Sequence, residues 1–242
     1  MSEAAAAPAP CARLDCRDDV AILTLARPPV NAVDLAMVRR IDALIHEIAA
    51  SDARGLVLTG LPGYFCAGLD TRVVPHYGRD ERRAILTTIN RVIAALYGLP
   101  VPVIAAVSGH AIGAGAVLPL TADERIGAAG DYRLGLTEAA AGIPFPAAPL
   151  TVCRAELSAR ELRHLALTSR TMPPDEAVSW GLLDSVVPAE RLVDTAVERA
   201  RTLARQPGFA AVKRQLRRDT IRRLEDVVER EDEPLIAHWV ER

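Results

Sequence analysis

Aromatic residues are scarce in this chain of 242 residues, since only 4% are Phe, Trp or Tyr, although half of the residues are hydrophobic. Alanine, valine, leucine and isoleucine must therefore fill the core, and the length suits one domain of moderate size. No apolar run reaches the roughly 18 residues that a membrane helix requires. The sequence thus predicts a globular protein without a membrane partner.

Cysteine is also rare, and its spacing carries no metal signature. The four cysteines, Cys11, Cys16, Cys66 and Cys153, form no CxxC pair, and the five histidines are scattered. We therefore predict no metal site and four reduced thiols, which is typical of a cytoplasmic protein. Cys66 is interpreted as a small buried residue rather than a nucleophile, and His110 as a packed core histidine.

An excess of one charge is missing as well. Lys plus Arg is 29 and Asp plus Glu is 31, a balance that argues against a nucleic-acid partner. Residues 1–12 are rich in Ala and Pro and lack the basic and apolar parts of a secretion signal, so we expect a disordered tail. Between Lys213 and Glu233 bases alternate with acids, which favours a solvated helix face or a subunit contact.

Strands alternate with helices through the first half of the chain. This alternation predicts an α/β fold with mostly parallel strands. Pro119 is expected to kink or end the helix that follows Gly113. Strands are predicted at 13–17, 20–26, 55–60, 101–107, 124–127 and 181–187, with helices after Asp34, Asp80 and Gly113 and through most of 149–242.

Two turns of small residues are suited to present backbone N–H groups. Ala67-Gly68 allows a sharp turn before Leu69. Gly113-Ala114-Gly115 follows a buried strand and opens a helix, whose first N–H groups are free. One such turn alone is ordinary close packing. Two of them, in a chain that also carries Glu138, favour proton transfer beside a carbonyl whose oxygen takes up negative charge.

Six short motifs, in their order and spacing, resemble the crotonase superfamily, the enoyl-CoA hydratase/isomerase group. The resemblance implies a crotonase (ClpP-like) α/β fold of repeated ββα units over residues 13–190. It also implies a C-terminal helical trimerisation region over 191–242. The motifs are Arg27-Pro28 with Asn31-Ala32, the run 65–70, the run 109–115, the run 122–126, the segment 136–144 and the run 177–188.

The same resemblance implies acyl-CoA thioester substrates, no cofactor beyond the coenzyme A that the substrate carries, and a homotrimer or a dimer of trimers. The N–H groups of Leu69 and Ala114 would form an oxyanion hole. Trp239 and Arg242 match a region that in relatives reaches the ligand of a neighbouring subunit, although a surface role is favoured for both. Further substrate-binding residues would be Arg27, Ala67, Gly68, Asp70, Gly113, Val117 and Ile143.

Two of these assignments stay open at this stage. Arg27 precedes a loop that by resemblance cradles the nucleotide, but a solvated surface charge is an equal alternative. Asp70 follows the first donor and is interpreted as a structural hydrogen-bond acceptor rather than a second catalytic acid.

The positions of the carboxylates limit which reactions the site can catalyse. Hydratases of this family have two glutamates, whereas this chain has Val117 at the first position and Glu138 at the second. Valine cannot orient or deprotonate water, but one base suffices to move a proton from C2 to C4 of a 3-enoyl thioester. The site therefore resembles the Δ3,Δ2-enoyl-CoA isomerases of mitochondrial type. Weak hydration, thioester hydrolysis, decarboxylation and non-catalytic acyl-CoA binding remain alternatives.

Glu138 would be the general acid/base of that reaction. The apolar neighbours Leu136, Ile143 and Phe145 are expected to desolvate its carboxyl group and to raise the pKa toward neutrality. The alternative is a surface glutamate near a helix start, where acids are common.

Overall fold

Four successive units of two strands and one helix form the first part of the chain. The computed structural model describes residues 10–240, apart from the side chain of His238. The predicted α/β fold of repeated ββα units is confirmed. The units are β1 (Ala12–Arg17), β2 (Val20–Leu25) and α1 (Leu35–Ala49); β3 (Gly55–Thr59), β4 (Gly63–Cys66) and α2 (Arg79–Gly98); β5 (Val103–Val107), β6 (Gly109–Ile112) and α3 (Ala114–Leu120); and β7 (Glu124–Ala128), β8 (Leu134–Gly135) and α4 (Glu138–Ala141).

Two sheets divide these strands. The larger sheet has the order β1-β2-β3-β5-β7-β9, where β9 is Ser185–Val187, and all its pairs are parallel except β1 with β2. The smaller sheet has the order β4-β6-β8 and is parallel throughout. The three strands of the smaller sheet therefore end side by side, and the segments that follow them are brought together.

Five further α-helices and a short π-helical turn follow in the described residues. They are α5 (Ala147–Glu156), α6 (Ala159–Thr168), α7 (Pro174–Ser179), α8 (Leu192–Ala204), α9 (Phe209–Glu229) and the turn Ile236–Val240. Helix α8 packs on β3 and β5, so the sheet core extends past the implied boundary at residue 190, whereas α9 packs on α2 and α5. None of the helices in residues 10–240 combines the length and apolar character that crossing a bilayer requires.

Helix α1 forms as its sequence predicts. Asp34 is the N-cap, and its carboxylate accepts a hydrogen bond from the N–H of Met37 at 2.8 Å. The apolar positions at intervals of three and four residues are buried against the sheet. They are Leu35, Val38, Ile41, Ile45 and Ile48.

Several element boundaries differ from the predicted ones. Gly109 begins β6 instead of closing the preceding strand, because four residues between two glycine turns give too short a pattern to predict a strand. Helix α2 begins at Arg79 with Gly78 as its N-cap, not Asp80, and Glu81 Oε2 accepts the N–H of Gly78 at 3.0 Å. Strand β1 begins at the fully buried Ala12, so the predicted tail ends earlier, and residues 1–9 lie outside the described range.

The expected effect of Pro119 is confirmed, since α3 ends at Leu120 after only seven residues. Arg217 of α9 then donates hydrogen bonds to the carbonyl groups of Thr121 at 3.1 Å and Ala122 at 2.8 Å. Arg217 and Lys213 are both buried. One face of α9 therefore makes buried polar contacts with the rest of the chain. The solvated face that the sequence predicted covers only the remainder of this helix.

Candidate active site

Three segments meet at the ends of the parallel strands β4, β6 and β8. They are residues 67–71, 112–117 and 137–146. Most of these residues, with Ile89 and Pro149, line a cavity of about 250 Å³, whereas Asp70 does not. The sequence motifs that lie far apart along the chain are therefore assembled by the register of one small sheet. Both predicted donor turns and Glu138 contribute to the same cavity wall.

The first donor turn is fixed by the loop that precedes α1. The Asn31 side chain donates to the carbonyl oxygens of Tyr64 at 2.9 Å and Phe65 at 3.0 Å. Val33 then bridges the turn, because its N–H donates to Gly68 O at 2.7 Å and its carbonyl accepts from Asp70 N at 2.8 Å.

These bonds leave the N–H of Leu69 pointing away from Val33. In an extended segment successive N–H groups alternate in direction, so the Leu69 N–H points to the opposite side from the Asp70 N–H. Leu69 lines the cavity, and no acceptor for its N–H is found among residues 10–240. The Leu69 N–H is therefore available to a ligand.

The second donor turn brings the start of α3 onto the end of β4. Gly113 has φ +55°, a conformation that glycine adopts without strain. A β-carbon at Gly115 would lie 2.0 Å from Cys66 O, so only glycine permits this approach. Ala114 is the first residue of α3, and its N–H is one of the unpaired donors of the first turn.

The two donor turns adjoin each other. A β-carbon placed on Gly68 would stand 3.5 Å from the Ala114 nitrogen. Ala114 does not have a positive φ, so the alanine that replaces the family's central glycine is compatible with the backbone. The predicted pair of N–H donors thus lines one side of the cavity.

Glu138 lies at the start of a single helical turn. Strand β8 ends at Gly135, Thr137 is the N-cap of α4, and Gly142 ends the helix in the left-handed conformation with φ +67°. The Glu138 side chain is only 9% exposed, and Oε2 has no hydrogen-bond partner in the described part of the chain. Burial raises the pKa of Glu138 to about 7, although backbone N–H groups of Glu138 and Thr137 act in the opposite direction.

The carboxyl group faces the second donor turn. A β-carbon on Gly113 would lie 3.5 Å from Glu138 Oε1 and 3.5 Å from Thr137 Oγ1. Among the described residues that line the cavity, Glu138 is the only acid. This arrangement has one base of near-neutral pKa next to two main-chain donors, which is suited to forming an enolate oxygen while a neighbouring carbon loses its proton.

Apart from Thr71 and Thr137, the rest of the wall is mostly apolar. Val117 lies three residues after Ala114, on the same face of α3, and is 1% exposed. Ile143 and Phe145 contribute further apolar side chains to the lining. The position that holds a second glutamate in hydratases is therefore a valine inside the cavity, as the sequence indicated.

Arg27 and Asp70 belong to the scaffold behind the first turn. The Arg27 guanidinium bonds to Asp70 at 2.9 Å, to Asp34 at 3.0 Å and to the Ala32 carbonyl at 2.9 Å. Asp70 is 3% exposed and does not line the cavity. The structure therefore favours the interpretation of Asp70 as a structural hydrogen-bond acceptor. The resemblance implied that Arg27 contacts the nucleotide, but its guanidinium group is already bonded to Asp70, Asp34 and Ala32.

Two other predicted residues have mainly structural contacts. Cys66 is fully buried, and burial raises the pKa of its thiol to about 12, which agrees with the expected small packed residue. His110 was predicted to be a core residue, but it is only half-buried. Its ring lies beside Tyr64, and its Nδ1 accepts the N–H of Arg133 at 3.2 Å.

The C-terminal segment packs on its own chain. Arg82 of α2 lies over the Trp239 ring at 5.5 Å and donates to the Trp239 carbonyl at 3.1 Å. Trp239 thus contacts the same chain, whereas the resemblance pointed to a neighbouring subunit. Arg242 lies outside the described residues.

Sequence reasoning missed several lining residues. Ile89, Pro146 and Pro149 contribute to the cavity from α2 and from the start of α5. A signal was present in Asn90, a polar residue next to Ile89 in the buried stripe of α2. A buried amide requires partners, so its position already indicated a specific contact.

Comparisons with known proteins identify the family. The family model described as enoyl-CoA hydratase/isomerase matches residues 15–237. A probable enoyl-CoA hydratase of Rhodobacter capsulatus is 34% identical over 211 residues, which cover 84% of this chain and 79% of the relative.

Solved structures show the same fold. An enoyl-CoA isomerase of Mycobacterium tuberculosis superposes with a TM-score of 0.84 at 26% identity, covering 95% of this chain and 99% of the other. The human mitochondrial Δ3,Δ2-enoyl-CoA isomerase superposes with a TM-score of 0.86 at 25% identity, covering 96% and 91%. The chain therefore belongs to the enoyl-CoA hydratase/isomerase family of the crotonase superfamily.

Proposed function

We propose that this enzyme is a Δ3,Δ2-enoyl-CoA isomerase, which moves the double bond of a 3-enoyl-CoA thioester to the 2-position. The observation that carries the proposal is the cavity wall itself. Glu138 is its only acid within residues 10–240, and Val117 takes the place of the second carboxylate. Curated relatives such as the Rhodobacter capsulatus protein are described as probable enoyl-CoA hydratases, so the assignment of isomerisation rests on this site rather than on them.

The proposed reaction uses Glu138 twice. Its carboxylate removes a proton from C2, and the electrons move toward the thioester oxygen to give a dienolate. The N–H groups of Leu69 and Ala114 donate to that oxygen and stabilise its negative charge. The protonated Glu138 then returns the proton at C4, the electrons shift back, and the 2-enoyl thioester forms with no net gain or loss of atoms.

A pKa near neutrality suits both halves of this cycle. Burial raises the pKa of Glu138 to about 7, so the carboxyl group can take up and release a proton near physiological pH. The apolar side chains of Val117, Ile143 and Phe145 keep the base desolvated, and the described part of the lining offers no second carboxylate to activate a water. Hydration is disfavoured for that reason.

The test compares two substrates. Purified protein is incubated with 3-hexenoyl-CoA, and the 2-enoyl thioester is followed by the absorbance of its conjugated double bond, while an unchanged mass shows that no water has been added. The same protein is incubated with 2-hexenoyl-CoA, and a mass gain of one water is sought. Isomerisation without hydration supports the proposal, whereas hydration at a comparable rate or no turnover of the 3-enoyl thioester contradicts it.

We propose in addition the homotrimer, or dimer of trimers, that the family resemblance implied. Helix α9 carries Leu216 with 82% exposure and Val212 with 52%, apolar side chains that an adjoining subunit would cover. Sedimentation velocity measures the state directly, and a monomer at micromolar concentration would contradict this part of the proposal.

A further inference from the structure

A buried polar contact between the C-terminal segment and the start of α5 lies directly behind the cavity. Glu233 follows α9, is 5% exposed, and is held by three N–H donors. Its Oε2 accepts from the Asn90 amide at 2.8 Å and from the N–H of Ala147 at 2.8 Å, and its Oε1 accepts from the N–H of Leu235 at 3.0 Å.

Asn90 completes the contact. Its side chain is 3% exposed, and its Oδ1 accepts the N–H of Ala148 at 3.0 Å. Ala147 and Ala148 are the first two residues of α5, where the N-cap Pro146 provides no side-chain bond. Two free donors of this helix are therefore satisfied by side chains from α2 and from the C-terminal segment.

The charge of Glu233 fits this position. No Lys or Arg in the described part of the chain pairs with its carboxylate. Instead the carboxylate sits at a helix N-terminus, where both the N–H groups and the helix dipole favour a negative charge. Removing it would leave buried donors of Asn90 and Ala147 without partners, which is costly in a water-poor environment.

The contact adjoins residues of the cavity wall on both sides. Ile89 precedes Asn90 in α2, and Pro146 precedes Ala147, and both line the cavity. The loop from Ile143 to Pro146 runs from α4 to the start of α5, and all four of its residues line the cavity. The position of the α5 N-terminus therefore helps to fix this part of the cavity wall.

Two surface contacts hold the same C-terminal segment on α2. Arg83 pairs with Glu231 at 2.9 Å, and Arg82 packs on Trp239. The segment is therefore attached along α2, and the contact of Glu233 with Asn90 also reaches the start of α5.

We infer that Glu233 and Asn90 are positioning residues that set the acyl-binding wall, so that the C-terminal segment of each chain completes its own substrate cavity. The inference rests on the proposed function only in taking this cavity to hold the acyl chain. Neither side chain touches the reacting atoms. Their effect is expected in the part of the affinity that the acyl chain contributes, and not in the part that coenzyme A contributes.

Isothermal titration of the full chain with coenzyme A and with decanoyl-CoA separates these parts without requiring turnover. The dissociation constant of coenzyme A divided by that of decanoyl-CoA measures how much the acyl chain contributes to the affinity. We expect Glu233→Ala and Asn90→Ala each to lower this ratio about tenfold, with the affinity for coenzyme A changed less than about twofold. Because the two residues share one contact, the double variant should lose little more than either single variant.

Two further variants act as controls. Glu233→Gln keeps the shape and one acceptor oxygen, and should retain most of the acyl contribution. Glu231→Ala removes an exposed acid of the same segment and should behave as the unchanged protein, since surface ion pairs contribute little. Circular dichroism and unchanged binding of coenzyme A establish that each variant is folded.

An unchanged ratio in both alanine variants would overturn the inference. Equal losses for coenzyme A and decanoyl-CoA would overturn it too, because they would indicate a general structural role. If the unchanged protein bound decanoyl-CoA no better than coenzyme A, the cavity would not hold the acyl chain and the inference would also fail. Failure of the proposed isomerisation leaves these binding results intact, so the two failures are distinguishable.

Discussion

Two buried carboxylates near the cavity have opposite surroundings. Asp70, at 3% exposure, and Glu138, at 9%, are both removed from solvent. Burial pushes the pKa of Asp70 upward, but the hydrogen bond from Arg27, the N–H of Arg72 and two guanidinium charges hold it below its usual value. Glu138 forms no ion pair with a cation among residues 10–240, and burial raises its pKa to about 7.

The difference shows that burial alone does not make an acid reactive. At Asp70 the charge is matched by fixed donors, so the group stays ionised and stabilises the first donor turn. At Glu138 one oxygen lacks a partner, so the charged and neutral forms are close in free energy near pH 7. The first carboxylate is suited to structure, and the second to proton transfer.

The largest effect is expected from Glu138→Gln. Glutamine fills the same space but cannot accept the C2 proton, so kcat with 3-hexenoyl-CoA should fall by about 10³-fold. Stability at pH 8 should not fall, because a carboxylate that is unfavourable when buried is replaced by a neutral amide. Stopped assays and thermal unfolding measure the two quantities, and retained turnover would remove Glu138 as the base.

A smaller loss is expected from Ala114→Pro. Proline is tolerated at the first position of a helix but has no N–H, so this change removes one donor while allowing α3 to form. We expect kcat to fall by about 10²-fold to 10³-fold, the usual effect of losing one oxyanion donor. The matched control is Ala114→Ser, which keeps the N–H. Ala116→Pro would be unsuitable because the N–H of Ala116 donates to Gly113 O and would be lost. Equal activity of the proline and serine variants would argue against an oxyanion role for this N–H.

The pH dependence follows from the raised pKa of Glu138. The base must be ionised to remove the proton, so kcat/KM should fall about tenfold per pH unit below pH 7 and level off above it. The stability effect has the corresponding sign. The unfolded carboxyl ionises near pH 4.3 and the folded one near 7, so stability is lost as pH rises between these values.

Rates between pH 5 and 9, together with unfolding free energies over the same range, check this prediction. Glu138→Gln should lack the loss of stability between pH 4.3 and 7. A flat kcat/KM profile down to pH 5 would contradict the pKa assigned to the base.

The smallest effect on catalysis is expected from Asp70→Asn. The change removes a charge that faces Arg27, so the free energy of unfolding at pH 7 should fall by about 2 kcal/mol, while kcat changes little. The folded pKa of Asp70 lies below its unfolded value of about 3.9, so this stabilisation is present above that pH and is lost as pH falls through the folded pKa.

Urea unfolding at pH 7 and pH 3 tests the Asp70 prediction. The gap between Asp70→Asn and the unchanged protein should narrow at the lower pH. Asp15→Asn, which alters an exposed pair with Arg13, provides the comparison and should cost much less. A loss of turnover as large as that of Glu138→Gln would show that Asp70 also takes part in the chemistry.

Much of the fold and the site could be predicted from local patterns. The stripe of α1, its cap at Asp34, the glycine turns and Glu138 each have a short-range signal, and the structure places the turns and Glu138 at one cavity. The strand β6 was mispredicted because a short element between glycines gives little periodicity. The start of α2 was misplaced because Asp80 is a favourable cap residue, whereas the structure has Gly78 at the N-cap. The role of Asn90 could not be assigned, since its partner Glu233 lies 143 residues away.

The sequence by itself determined the chemical groups of the site. They are a single glutamate, a valine where hydratases have a second glutamate, and two turns with free N–H donors. These depend on residue identity and on neighbours within a few positions. Only the tertiary structure decided which of them face one another, because the parallel pairing of β4, β6 and β8 brings their ends together. It also decided that Arg27 serves Asp70 and Asp34, and that the C-terminal segment supports the cavity, since such contacts exist only after the chain has folded.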